Sequence, residues 1–214
     1  MRSLLNFFLI FLATYLALPQ SFAADSCSQL IGSCDYYTCI DTQRLSCGDQ
    51  GYALGYGRRF CQKFTGMSFA PARTRLEAEL FPASGDAWRD EVRSCLQEEL
   101  ETFFTDTQNA SCEQLRTFAF ASHPHCYTKG PSFCELSPEN VVRIGLTIKT
   151  DLLTGESFQQ IRDTAEICDA QLQARIDTEP KALLRWQLAH YQGLWRLIAA
   201  DPLQVHRFLE TVRP

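Results

Sequence analysis

An all-α domain stapled by disulfides, with a Cys/Gly/Tyr-rich looped segment at its N-terminal end, is the architecture this sequence predicts. Three observations predict it. Apolar residues recur at steps of three and four through several long segments, the signature of one buried helix face. No stretch alternates apolar and polar residues long enough to read as a sheet strand. All ten cysteines, Cys27, Cys34, Cys39, Cys47, Cys61, Cys95, Cys112, Cys126, Cys134 and Cys168, follow an apolar leader, and an even count in an oxidising compartment argues for crosslinks.

The leader occupies residues 1–23. Arg2 precedes an apolar run from Leu4 through Leu18, and Ser21-Phe22-Ala23 supplies a small-x-small cleavage pattern, so the mature chain is expected to start at Ala24. No second apolar stretch of spanning length follows, and no lipid-anchor tail is recognisable, so the expected product is exported, extracellular or, from a Gram-negative source, periplasmic. The net charge of −5 disfavours nucleic acid and anionic membrane as partners.

Cys27 to Cys61 is dense in cysteine, glycine and tyrosine, and the glycines of the run Cys47 to Gly57 suit tight turns or close backbone approach. A phosphate-cradling loop does not fit, because the Lys-Ser/Thr ending is missing. From Ser84 to Asp106, Trp88, Val92, Cys95, Leu96 and Phe103 form a helical stripe, with Ser84 placed as its cap. Ser137-Pro138-Glu139 puts a cap residue before a proline at the first helical position, ahead of Val141, Ile144, Leu146 and Ile148. Glu156 to Asp177 follows the same pattern through Phe158, Ile161, Ala165, Cys168 and Leu172.

Pro180 opens the most amphipathic segment, in which Leu184, Leu188, Tyr191, Trp195 and Ile198 make a heptad-like seam. Such a seam buries against its own domain or pairs with a second copy. Asp201-Pro202 starts a short last helix. The chain therefore divides into a leader (1–23), a crosslinked helical domain (24–178) and C-terminal amphipathic helices (179–214) packed on that domain.

The flanks of the cysteines are specific. Tyr37-Thr38-Cys39-Ile40-Asp41 after Cys34, Phe60-Cys61-Gln62-Lys63-Phe64, Gly85-Asp86-Ala87-Trp88 leading to Cys95-Leu96, and Cys126-Tyr127 followed by Cys134 resemble the stanniocalcin family. All ten cysteines find counterparts in order, so the resemblance covers Cys27 to Cys168. It implies a pairing of Cys27 with Cys39, Cys34 with Cys61, Cys47 with Cys112, Cys95 with Cys126, and Cys134 with Cys168. It also implies a secreted, non-enzymatic regulator of hormone type that acts on an extracellular protein partner, in calcium and phosphate homeostasis or protease inhibition. The chain departs from the family in lacking the eleventh cysteine that joins two subunits, around Gly193-Leu194-Trp195, so a homodimer here would be non-covalent. The family's N-terminal sequon is missing too, whereas Asn109-Ala110-Ser111 is a glycosylation acceptor elsewhere in the chain.

Chemistry-bearing patterns are few. His123-Pro124-His125-Cys126 reads first as a polar loop before a crosslink; it also sets two imidazoles beside a thiol, a soft-metal pattern only if Cys126 were reduced. A histidine to Cys126-Tyr127 spacing also echoes secreted phospholipases A2, but Pro124 stands where the calcium-holding aspartate is needed. The nucleophile elbow and the His-Glu-x-x-His zinc pattern are missing, and the acidic pairs Asp90-Glu91 and Glu98-Glu99 read as solvated helix surface. No cofactor is expected. A triad drawn from distant residues such as Ser122 or His190 is the remaining catalytic arrangement. Gly51 to Tyr56 and the Tyr191-Trp195 face are the candidate protein-binding surfaces, since exposed aromatics anchor interfaces. The alternatives to the hormone reading are an exported periplasmic or cell-surface binding protein, and a hydrolase or metal-binding protein using His123 and His125.

Overall fold

The structure, a computed structural model, describes residues 26–149 and 155–211; the expected leader, 1–23, lies outside the described residues. Among the described residues it contains helices and no strands. In order these are α1 (Asp35–Ile40), α2 (Arg59–Thr65), α3 (Arg75–Leu80), α4 (Gly85–Asp106), α5 (Cys112–Thr128), α6 (Pro138–Ile148), α7 (Gly155–Thr178), α8 (Ala182–Ala200) and α9 (Leu203–Thr211).

The segment expected to be looped is wound into short helical turns instead. A 3₁₀ turn at Ser26–Leu30 leads into α1, a π turn covers Asp41–Leu45, a second 3₁₀ turn covers Gly48–Gln50, and a second π turn, Tyr52–Arg58, runs into α2. None is long enough to be stable by propensity. What holds them is packing and crosslinking: Tyr36, Tyr37, Ile40, Tyr52 and Ala53 are buried in one apolar cluster with Leu100, Phe103, Leu115 and Phe120 of α4 and α5. Asp41 organises the turn between the two π segments, its carboxylate accepting from the N–H groups of Cys47 at 3.0 Å and Gly48 at 3.1 Å. Gly57 is where close approach is required, because a β-carbon there would sit 2.5 Å from the Tyr37 ring.

The five disulfides are Cys27–Cys39, Cys34–Cys61, Cys47–Cys112, Cys95–Cys126 and Cys134–Cys168, the same pairs that the resemblance implies. Three of them end in the first forty residues described. Cys47–Cys112 fastens that region to the first residue of α5, and its separation of 65 residues gives it the greatest chain-entropy effect, about 4 kcal/mol, against about 3 kcal/mol for the 12-residue Cys27–Cys39 loop.

The long helices obey their sequence patterns. The buried side of α4 carries Trp88, Val92, Cys95, Leu100 and Phe103. Ser84 occupies its N-cap position, yet its side chain accepts no cap hydrogen bond, and only its carbonyl takes part, receiving the Trp88 N–H at 2.9 Å. A full capping box instead starts α5, where Ser111 and Gln114 satisfy each other's backbone N–H groups. Ser137 caps α6 through the Asn140 N–H, with Pro138 at its first turn.

Two buried amides tie loops to helices in the way one strand pairs another. Gln97 of α4 accepts from the Gly32 N–H at 2.6 Å and donates to the Ser33 carbonyl at 2.8 Å. Asn140 of α6 does the same to both backbone groups of Ala70, at 2.8 and 3.0 Å. Each clamp satisfies loop groups that burial would otherwise orphan.

The seam of α8 faces inward. Leu184, Leu188, Tyr191 and Trp195 are buried with Ala165, Cys168 and Leu172 of α7, and the Tyr191 hydroxyl donates to the Leu136 carbonyl at 3.0 Å. The C-terminal helices thus pack on the crosslinked domain, and the seam considered for pairing with a second copy is consumed by the chain's own core. No helix among the described residues is long and apolar enough to cross a membrane.

Candidate functional site

The interior has three apolar clusters: one around the tyrosines of the N-terminal region, one between α7 and α8, and one formed by Trp88, Val92, Leu136 and Ile144. Where they meet they do not close. A partly open pocket of about 180 Å³ remains, lined largely by aromatic and aliphatic groups, among them Tyr37, Tyr52, Phe60, Trp88, Val92, Ile144 and Trp195.

A line of polar groups crosses this wall. His123, in α5, is almost wholly buried, and both of its ring nitrogens have partners: Nδ1 lies 2.7 Å from Gln160 Oε1 of α7, and Nε2 lies 3.1 Å from the Tyr52 hydroxyl. Because a carboxamide oxygen only accepts, Nδ1 carries the proton and Nε2 accepts from Tyr52. Burial pushes the His123 pKa down to about 4, against the smaller opposing effect of its bond to Gln160, so the imidazole is neutral at physiological pH. Burial also raises Tyr52 and Tyr127 well above the ordinary phenol range, so both keep their protons. The relay Tyr52, His123, Gln160 joins the N-terminal region to α7 through α5.

Gln160 spends its oxygen on His123 and leaves its Nε2 group without a partner, although it is buried. One turn later on the same helix, buried Thr164 also has an unpartnered hydroxyl. Both residues line the pocket.

The two histidines singled out by the sequence do not converge. Two residues apart on one helix, they point to different sides: His123 is internal and His125 is exposed. Among the described residues one group of three metal-donor types comes together, Cys95, Glu99 and His125, but the Cys95 sulfur is bonded to Cys126 and is no thiolate. Ser122 donates to the Ala119 carbonyl of its own helix, and the His190 ring lies 4.3 Å from that of Trp186 on the outside of α8.

Of the two candidate protein-binding surfaces, Gly51 to Tyr56 is buried at Tyr52 and Ala53 and half-buried elsewhere, and the Tyr191-Trp195 face turns its aromatics inward. Tyr52, Tyr191 and Trp195 are all buried, and Tyr56 stacks among Tyr52, Phe60 and Phe120. The exposed aromatic of α8 is Trp186, which shares the outer face with Leu183, Leu194 and Leu197, each more than half exposed. That outer stripe has the same helical spacing as the inner one and could have been read from the sequence as a second apolar face. Asn109 is exposed in the turn between α4 and α5, with a left-handed φ of 56°.

Searches against protein-family models, curated proteins and solved structures match this chain to none of them. The site must therefore be interpreted from its own chemistry.

Proposed function

We propose that this chain is an exported, disulfide-stapled binding protein that works without catalysis, as a regulator of stanniocalcin type engaging an extracellular protein partner. The observation that carries the reading is the commitment of its reactive groups. All ten cysteines are in disulfides and no free thiol is present. The buried histidine is neutral with both nitrogens occupied by structural partners, so the polar cluster holds helices together and offers neither nucleophile nor metal seat. Five disulfides in one chain are typical of proteins that work outside a reducing cytosol.

The test begins with the full chain expressed behind its own N-terminus in a secreting host. The expected product leaves the cytosol, starts at Ala24, contains no free thiol, and gives the five pairs above in a non-reducing peptide map. Retention in the cytosol with reduced cysteines would overturn the export reading. Affinity capture from the native extracellular fluid should then yield a stoichiometric protein partner. Stoichiometric zinc or copper in the oxidised protein, lost when His123 and His125 are both changed to alanine, would instead favour the metal-binding alternative.

A further inference from the structure

We propose that the outer face of α8 pairs, antiparallel, with the same face of a second copy of this chain. Leu183, Trp186, Leu194 and Leu197 are each between 51% and 59% exposed, and exposed His190 lies midway along them. At about 100° per residue the five fall within about 40° of His190 around the helix, over about 21 Å of its length. The charged residues of α8, Arg185 and Arg196, lie about 120–140° away from that line. Arg196 is also held aside by Asp169, at 2.7 Å. Gly193, at the margin of the stripe, leaves the backbone open to a neighbour, since a β-carbon there would meet nothing within 4 Å.

Two observations select a second copy as the occupant. The first is symmetry: the steps of the stripe, three, four, four and three residues, read the same in both directions about His190. A two-fold axis at His190 sets Leu183 of each chain beside Leu197 of the other, and Trp186 beside Leu194. Each contact then occurs twice, as an isologous interface requires. The second is area. Three leucines and a tryptophan exposed to this degree present on the order of 500 Å² of apolar surface, near the top of what a monomer leaves in water. Covering it on both copies removes about 1,000 Å², which reaches the lower bound of a specific interface and makes the dimer a weak one. The inner seam of α8 stays in the core of each copy.

Sedimentation velocity of the oxidised full-length product, from about 1 to 300 µM, tests the pairing, with a reversible monomer–dimer equilibrium expected in the micromolar range. Trp186→Lys and Leu194→Glu should each weaken association at least about tenfold. Both positions are exposed, so near-ultraviolet circular dichroism should remain native. An equimolar mixture of the two variants should associate again, because the new ammonium of one chain then lies beside the new carboxylate of the other. A single-chain mass for the native protein at the highest concentration would overturn the proposal, whether or not the variants fold. Association untouched by both substitutions, or a mixture that stays monomeric, would overturn it too. So would a native chain that stays monomeric and instead floats with phosphatidylcholine vesicles, a result that assigns the face to a lipid surface.

Discussion

The N-terminal region, Ser26 to Thr65, and the α7/α8 pair are both helical and both bury aromatic side chains, but they are held by different means. The first is a succession of turns of three to seven residues, receiving three of the five disulfides. The second is two helices of 24 and 19 residues lying along each other over an apolar seam, with a single disulfide, Cys134–Cys168, buried in it. Short helices lack the length to outweigh nucleation, so crosslinks and tyrosine packing replace what periodic burial does for α7 and α8. The pocket lies where these two kinds of structure meet. His123 joins the two with polar contacts, to Tyr52 on one side and Gln160 of α7 on the other.

Removing the longest staple should break the comparison most severely. Replacing Cys47 and Cys112 together by alanine is expected to lower unfolding free energy by about 4 kcal/mol in chemical denaturation, with a larger loss of near-ultraviolet than far-ultraviolet signal. In the other region the corresponding injury is a packing one. Leu188→Ala, at a fully buried seam position, should cost about 3 kcal/mol, whereas Leu194→Ala, 51% exposed on the same helix, should stay within about 0.5 kcal/mol.

Acid should act on the joint between the regions. The His123 pKa is lowered in the fold, so above pH 6.5 the imidazole is neutral in both states and its effect on stability does not change. Below 6.5 the unfolded chain gains a proton that the fold refuses. Stability should therefore fall as pH drops from 6.5 to 4, by about 3 kcal/mol from this group. Denaturation curves at pH 7 and pH 4 should show this loss in the native sequence in excess of that in His123→Gln. The smallest effect is expected at the boundary: Ser111→Ala, which removes the capping box of α5 just before Cys112, should cost about 1 kcal/mol in thermal unfolding without changing the disulfide map.

The helices α4, α6, α7 and α8 were legible because each satisfies a local rule, whereas α5 runs through Pro124 and the segment His123 to Cys126, which reads as a polar loop. Ser137-Pro138 starts α6, and the step pattern through Leu184, Leu188, Tyr191 and Trp195 gives the buried side of α8. The turns of the N-terminal region were not, since Gly55 and Gly57 lie inside a π turn that only tertiary contact holds, and glycine by itself argues for loop. The Ser111-to-Gln114 box was readable but overlapped a glycosylation motif. At the site, the sequence drew attention to His123 without revealing its orientation: burial and the partnership with Tyr52, 71 residues away, depend on how three clusters assemble. The pocket left no sequence signal. Gln160 and Thr164 read as ordinary polar positions of α7, and the pocket is lined by residues from many separate segments.

Hydrogen exchange under graded reduction tests most directly the claim that crosslinks hold one region and packing the other. The amides of Tyr36 to Phe64 should lose protection as Cys27–Cys39, Cys34–Cys61 and Cys47–Cys112 open, while the centres of α7 and α8 stay protected under the same conditions. Simultaneous loss of protection in both regions, or retention in the N-terminal turns after those three bonds are reduced, would contradict it.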